Sequence, residues 1–166
     1  TKIGDKAFAN CESLLSISIP TGITRISDGM FYECTSLKSI NIPDTINEIG
    51  SHAFYKCSSI ISMCIPECVT EMGQYVFAGC SSLESISIPH EVKKMRNGLF
   101  KDCTSLRYIT IPNEVTEMWY NVFENCSSIT SITIPENIIH IEGNIFKGCS
   151  NLSSIKVESS NTKYDS

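Results

Sequence analysis

The sequence is short of most things that carry chemistry. It has one tryptophan and three histidines in 166 residues, and charged residues make up only 19% of it. The 13 Lys and Arg face 18 Asp and Glu, a net charge of −5 with no basic cluster, so it lacks the phosphate-neutralising footprint of a nucleic-acid binder. No apolar run reaches the roughly 18 to 20 residues of a membrane-spanning helix, so no membrane contact is expected of this segment. The N-terminus shows no signal-peptide pattern, and Thr1 stands where a Met would begin a chain, so the segment is expected to belong to a longer protein. There is no P-loop, no dinucleotide-binding glycine pattern and no G-x-S-x-G elbow. His52, His90 and His140 fall at three different points of the pattern described next, so no metal or nucleophile site is expected from them. With no constellation to carry catalysis, the expectation is a non-enzymatic protein without a cofactor or metal.

What is abundant is repetition. Cysteines stand at 11, 34, 57, 80, 103, 126 and 149, and all seven phenylalanines at 8, 31, 54, 77, 100, 123 and 146. The six prolines, 20, 43, 66, 89, 112 and 135, keep the same step of 23 with no insertion. A strict period of this length is the signature of a solenoid, in which each unit buries its apolar face only against its neighbours. Within one unit, Leu37, Ile40 and Ile42 alternate with Ser39 and Asn41, the rhythm of a half-buried strand. Pro43 then ends the strand because it has no N–H to give to the ladder. In the return segment Ile46, Ile49, Ala53, Phe54 and Cys57 leave the two-residue rhythm, which predicts a short extended piece and one helical or 3₁₀ turn.

This unit, LxSIxIPxxVTxIGxxAFxxC, resembles that of the BspA-like, spirochaete-type leucine-rich repeats from Ile3 to about Val157. The resemblance implies an α/β repeat solenoid, right-handed and curved, of seven 23-residue coils. A parallel sheet would line the concave side, with short extended or 3₁₀ segments on the convex side. A straighter β-solenoid satisfies the same core ladders. Residues 1–166 are read as one domain, with repeats over 1–157 and a polar tail over 158–166. Gly4, Gly50 and Gly73 share a position with Ser27, Arg96, Trp119 and Glu142, so that turn does not require positive φ.

The cysteine column closes an apolar face beside Phe, where a buried, reduced thiol is the expected state. Cys64 and Cys68 lie off the schedule, on the strand surface and in the turn after Pro66, and both are expected to be exposed; a bridge between them and two free thiols are both open. On the strand surface the outward pairs are mostly Ser and Thr, and Tyr108 departs from them beside Arg107, a pairing enriched in binding hot spots. The first candidate surface is therefore Arg107, Tyr108 and Thr110 with Glu84, Lys38 and Asn41. The second, on the return side, is Trp119 and Tyr120 together with Tyr32, Tyr55 and Tyr75, with His52 close by. The function expected is protein–protein interaction with a partner of unknown identity. Relatives with this repeat are often cell-surface or adhesion proteins, so the resemblance implies a surface or secreted setting. The alternative is an intracellular structural or scaffolding protein, which reduced cysteines suit.

Overall fold

The computed structural model describes residues 2–158. Thirteen short strands follow in order: β1 (Ser16–Ser18), β2 (Arg25–Ile26), β3 (Ser39–Asn41), β4 (Glu48–Ile49), β5 (Ser62–Met63), β6 (Glu71–Met72) and β7 (Ser85–Ser87). They continue as β8 (Lys94–Met95), β9 (Tyr108–Thr110), β10 (Glu117–Met118), β11 (Ser131–Ile134), β12 (His140–Ile141) and β13 (Ser154–Val157). Odd-numbered strands pair only with odd and even with even, always parallel and with partners 23 residues apart, as in Ser16 with Ser39 and Ile26 with Ile49. The chain is a parallel-strand solenoid of about six turns, with one strand face and one return face.

The strand face is not one continuous ladder. It pairs as β1–β3, β5–β7–β9 and β11–β13, and the return face as β2–β4–β6 and β8–β10–β12. After each of the six prolines, the amide of the third residue beyond it closes a turn on the proline carbonyl, as in Ile46 N–H to Pro43 O at 3.1 Å.

Between the faces runs a core in which each position forms a column. Phe31, Phe54, Phe77, Phe100 and Phe123 are fully buried, and successive rings along the whole column stack nearly parallel with centroids 5.5–5.8 Å apart, a favourable aromatic separation. Phe8 and Phe146 are only half-buried, because each has a neighbouring coil on one side. The same end effect corrects the reading of the cysteine column: Cys34 to Cys126 are buried, Cys149 is half-buried and Cys11 is exposed.

The return segment forms no continuous α- or 3₁₀-helix among the described residues, only isolated three-residue-back turns, against the α/β expectation. Its hydrogen bonds say why. Met30, Tyr32 and Cys34 donate back to Ser27, Gly29 and Phe31, while the alternating amides of Gly29, Phe31 and Glu33 donate to Ser51, Ala53 and Tyr55 of the next coil at 2.8 Å. A helix needs every amide for its own i−4 carbonyls, and here half of them hold coils together. Left-handed residues interrupt it as well. They form two columns of step 23, at Lys6, Gly29, His52, Tyr75, Gly98, Asn121 and Asn144 and at Asn10, Glu33, Lys56, Gly79, Asp102, Asn125 and Gly148, with φ of 55–76°.

Candidate functional site

The strand face carries small hydroxyl residues on most coils, because alternate side chains of each strand must point outward and nothing packs on them. Tyr108 in β9 breaks that carpet at 75% exposure. It stands between two open hollows. One, of about 480 Å³, is lined by Ser62, Cys64, Ser85, Ser87 and Thr110. The other, of about 430 Å³, lies where the ladder is interrupted between β9 and β11 and is lined by Arg107, Thr110, Ser131, Thr133 and Glu158. Arg107 is exposed at the strand's edge, and its amide donates to Glu84 O of the preceding coil. The structure thus brings Arg107, Tyr108 and Thr110 together with Glu84 next to them. Lys38 and Asn41 are exposed in the second coil, three coils and about 14 Å away, where Asn41 Nδ2 donates to Ser18 Oγ at 3.1 Å. Of the polar tail only Glu158 lies within the described residues.

On the return face Tyr32 and Tyr55 stack at 4.8 Å with planes 14° apart. His52 stacks on Tyr75 at 5.3 Å and meets Tyr55 at a tilt of 60°. These four rings form one cluster, and burial depresses the His52 pKa below its ordinary value, favouring the neutral imidazole. Lys56 Nζ stands 5.3 Å from the Tyr55 ring centroid and pairs with Glu33 at 3.0 Å. His52 and Tyr75 both occupy the first left-handed column, at φ 57° and 55°. Gly, Asn and His accept that conformation more readily, whereas a tyrosine pays about 1–2 kcal/mol.

Trp119 and Tyr120 make no ring contact with each other among the described residues. Trp119 is half-buried and donates through Nε1 to Glu117 Oε2 at 2.9 Å. Tyr120 is exposed, and its hydrogen bond to Glu142 holds the phenol pKa above its ordinary value.

The thiols have a use that the sequence did not announce. Each thiol from Cys34 to Cys149 donates to the carbonyl of the Phe 26 residues earlier, from Cys34 to Phe8 O at 3.0 Å through Cys80 to Phe54 O at 3.2 Å. Burial raises their pKa, that of Cys80 to about 12. Off the schedule, Cys64 is exposed in the strand-face hollow lined by Ser62, Ser85 and Ser87, and the exposed Cys68 donates to Ile46 O at 3.1 Å, as Thr45 Oγ1 does to Ile23 O one coil earlier. All nine cysteines are free thiols. Among the described residues no group of three or more acidic, His or Cys side chains could hold a metal ion, and no helix is long and apolar enough to cross a membrane.

The left-handed columns and the thiol bonds were missed in the sequence. The columns had a signal, since five of the seven residues at the second are Gly, Asn or Asp, the types that tolerate φ > 0.

A solenoid of strictly periodic parallel coils with an irregular surface on a regular core defines the class, a leucine-rich-repeat type of protein. The chain belongs to the BspA type leucine rich repeat region family, which matches six copies over residues 1–130 and 81–166. It is similar to the crystal structure of the T. pallidum leucine-rich repeat protein, with 34% identity and a TM-score of 0.86, covering 90% of this chain and 70% of that one. A leucine-rich cell surface protein of Faecalibacterium prausnitzii shares the fold at 23% identity and a TM-score of 0.52, over 97% of this chain and 64% of that one. A leucine-rich repeat protein of Eubacterium ventriosum does so at 22% and 0.59, over 93% and 45%. No curated protein matches.

Proposed function

We propose that this chain is a non-enzymatic protein-interaction module of a cell-surface or adhesion-type protein, binding through the strand face around Tyr108. In this reading seven right-handed coils over 1–157 form one domain, and the strand face is its concave side. The observation that carries the function is the exposure of Tyr108 beside Arg107, between two hollows on an otherwise small-residue sheet. Aromatic and Arg side chains so placed are the usual energetic anchors of an interface.

The test is surface binding to a panel of purified extracellular-matrix proteins, with the native chain and an Arg107→Ala/Tyr108→Ala variant side by side. Loss of a bound protein in the variant supports the reading, and unchanged affinity moves the interface to the return face. The thiol ladder favours a second reading, an intracellular scaffold, because six free thiols used as donors suit a reducing compartment. The location of the full-length protein in cells separates the two.

A further inference from the structure

The return-face aromatic cluster has a gap in it. Tyr32 and Tyr55 belong to a column that continues 23 residues on as Ala78 and then Lys101. A third ring in that stack would stand where Ala78 does. Instead there is a slot of about 290 Å³, with Ala78 at its base, Tyr55 and Lys101 as neighbours along the column, and His52, Tyr75 and Asp102 beside it. The side wall is held deliberately. Tyr75 occupies a left-handed position that a tyrosine adopts at a cost, and its ring lies against Gly98, where any Cβ would overlap its Cδ1 and Cε1 atoms. Two residues have thus been chosen to keep one ring at this place.

The slot spans two coil spacings, about 9–10 Å between the Tyr55 and Lys101 positions. One ring, flat or saturated, fits in that span, as the Phe54 ring does between those of Phe31 and Phe77. Its volume is at the small end of ligand pockets, which run from about 300 Å³ upward, so it holds a single ring. The lining is not one that selects for charge. Lys101 Nζ is paired with Glu124 at 2.5 Å, Lys56 with Glu33 at 3.0 Å, and Asp102 accepts from Asn125 Nδ2 at 2.7 Å. It is instead a π-face with polar groups around it, namely tyrosine hydroxyls, the His52 imidazole, an ammonium and a carboxylate. An aromatic guest would offer nothing to the tyrosine hydroxyls, the imidazole or the remaining donor and acceptor positions of the paired ions, whereas ring hydroxyls can hydrogen-bond to them.

We propose that this slot is a carbohydrate subsite that takes one pyranose ring, its C–H face on Tyr55 and its hydroxyls toward Asp102, Lys101 and His52. The site is separate from the Tyr108 surface and is tested separately.

The experiment is saturation-transfer NMR on the native chain with methyl β-glucopyranoside, methyl β-galactopyranoside, methyl α-mannopyranoside and methyl N-acetyl-β-glucosaminide as probes. At least one is expected to receive saturation, strongest on the C–H protons of one ring face. Ala78→Tyr extends the stack into the slot and should abolish the transfer while the variant unfolds at or above the native temperature. Tyr55→Ala should weaken binding roughly three- to tenfold, and Tyr55→Phe should keep most of it. Ser39→Ala, on the strand face, should leave the transfer unchanged. The proposal is overturned if no glycoside receives saturation, if transfer survives Ala78→Tyr, or if phenol or tetramethylammonium binds the slot and the sugars do not.

Discussion

The ring of Tyr75 rests on the bare Cα of Gly98, one coil further along, so closely that no side chain fits between them. Both residues lie in the same left-handed column, and Gly98 meets two demands at once, the backbone conformation and the room for a neighbour's ring. Gly98→Ala is therefore expected to cost at least about 1–2 kcal/mol from the backbone alone and to push the Tyr75 ring off its seat. Thermal unfolding reads the first effect, and the Tyr75 ring chemical shifts read the second. An unchanged Tyr75 spectrum would refute the contact.

The thiol ladder makes the fold sensitive to alkali. A thiol ionises at about 8.5 when unfolded, and burial raises the folded pKa of Cys34, Cys57, Cys80, Cys103 and Cys126 above the ordinary thiol value. With the folded pKa raised, stability is complete below the unfolded pKa and is lost as pH climbs through it toward the folded value, about 12 for Cys80. Denaturant midpoints should be flat from pH 7 to 8 and fall progressively above about 8.5. Cys80→Ala, which also deletes the bond to Phe54 O, should lower stability by about 1–2 kcal/mol and flatten part of that alkaline slope.

Glu124 is a buried carboxylate held between Lys101 at 2.5 Å and Lys147 at 3.0 Å, one coil to either side. The Lys101 hydrogen bond, followed by that of Lys147, keeps its pKa below the ordinary carboxylate value. Here the sign is opposite. The contribution is present above the unfolded pKa of about 4.3 and disappears as pH falls through the folded value. Because both lysines reach solvent, Glu124→Gln is expected to cost only about 1 kcal/mol at pH 7, and the difference between native and variant midpoints should vanish in acid.

Tyr108 and Arg107 are exposed on the strand face. Their joint replacement by Ala should leave the unfolding temperature within about 1–2 °C of native, since surface changes away from special features stay within about 0.5 kcal/mol. Partner affinity, by contrast, should drop by roughly 2 kcal/mol or more if they anchor the interface. Calorimetric unfolding and surface binding on the same samples separate the two effects.

Much of this was legible from one residue type at a time. Phe54 recurs at Phe77 and Phe100, so a stacked column follows from the period alone. Pro43 announces the end of β3, and Tyr108 stands out because its equivalents are serines. The return segment has the extended piece expected of it, but the helical turn expected after that piece is a run of isolated turns, although Ile46, Ile49, Ala53, Phe54 and Cys57 carry a helix-like spacing. That spacing records which side chains face the core, and says nothing about where the amides bond. Cys80 was recognised as buried, but its bond to Phe54 O depends on the position of another coil. The gap at Ala78 is invisible until Tyr75 and Asp102 are known to border it.

The sequence by itself determined the period, the columns and the residues that enter the core, because an unbroken step of 23 forces equivalent residues of successive coils into one another's neighbourhood. Only the tertiary structure decided how the backbone of the return segment is bonded, where the strand ladder is interrupted, and which side chains of different columns meet around a hollow. Those outcomes depend on the competition of each amide between its own turn and the neighbouring coil, and on contacts across columns that no single period encodes.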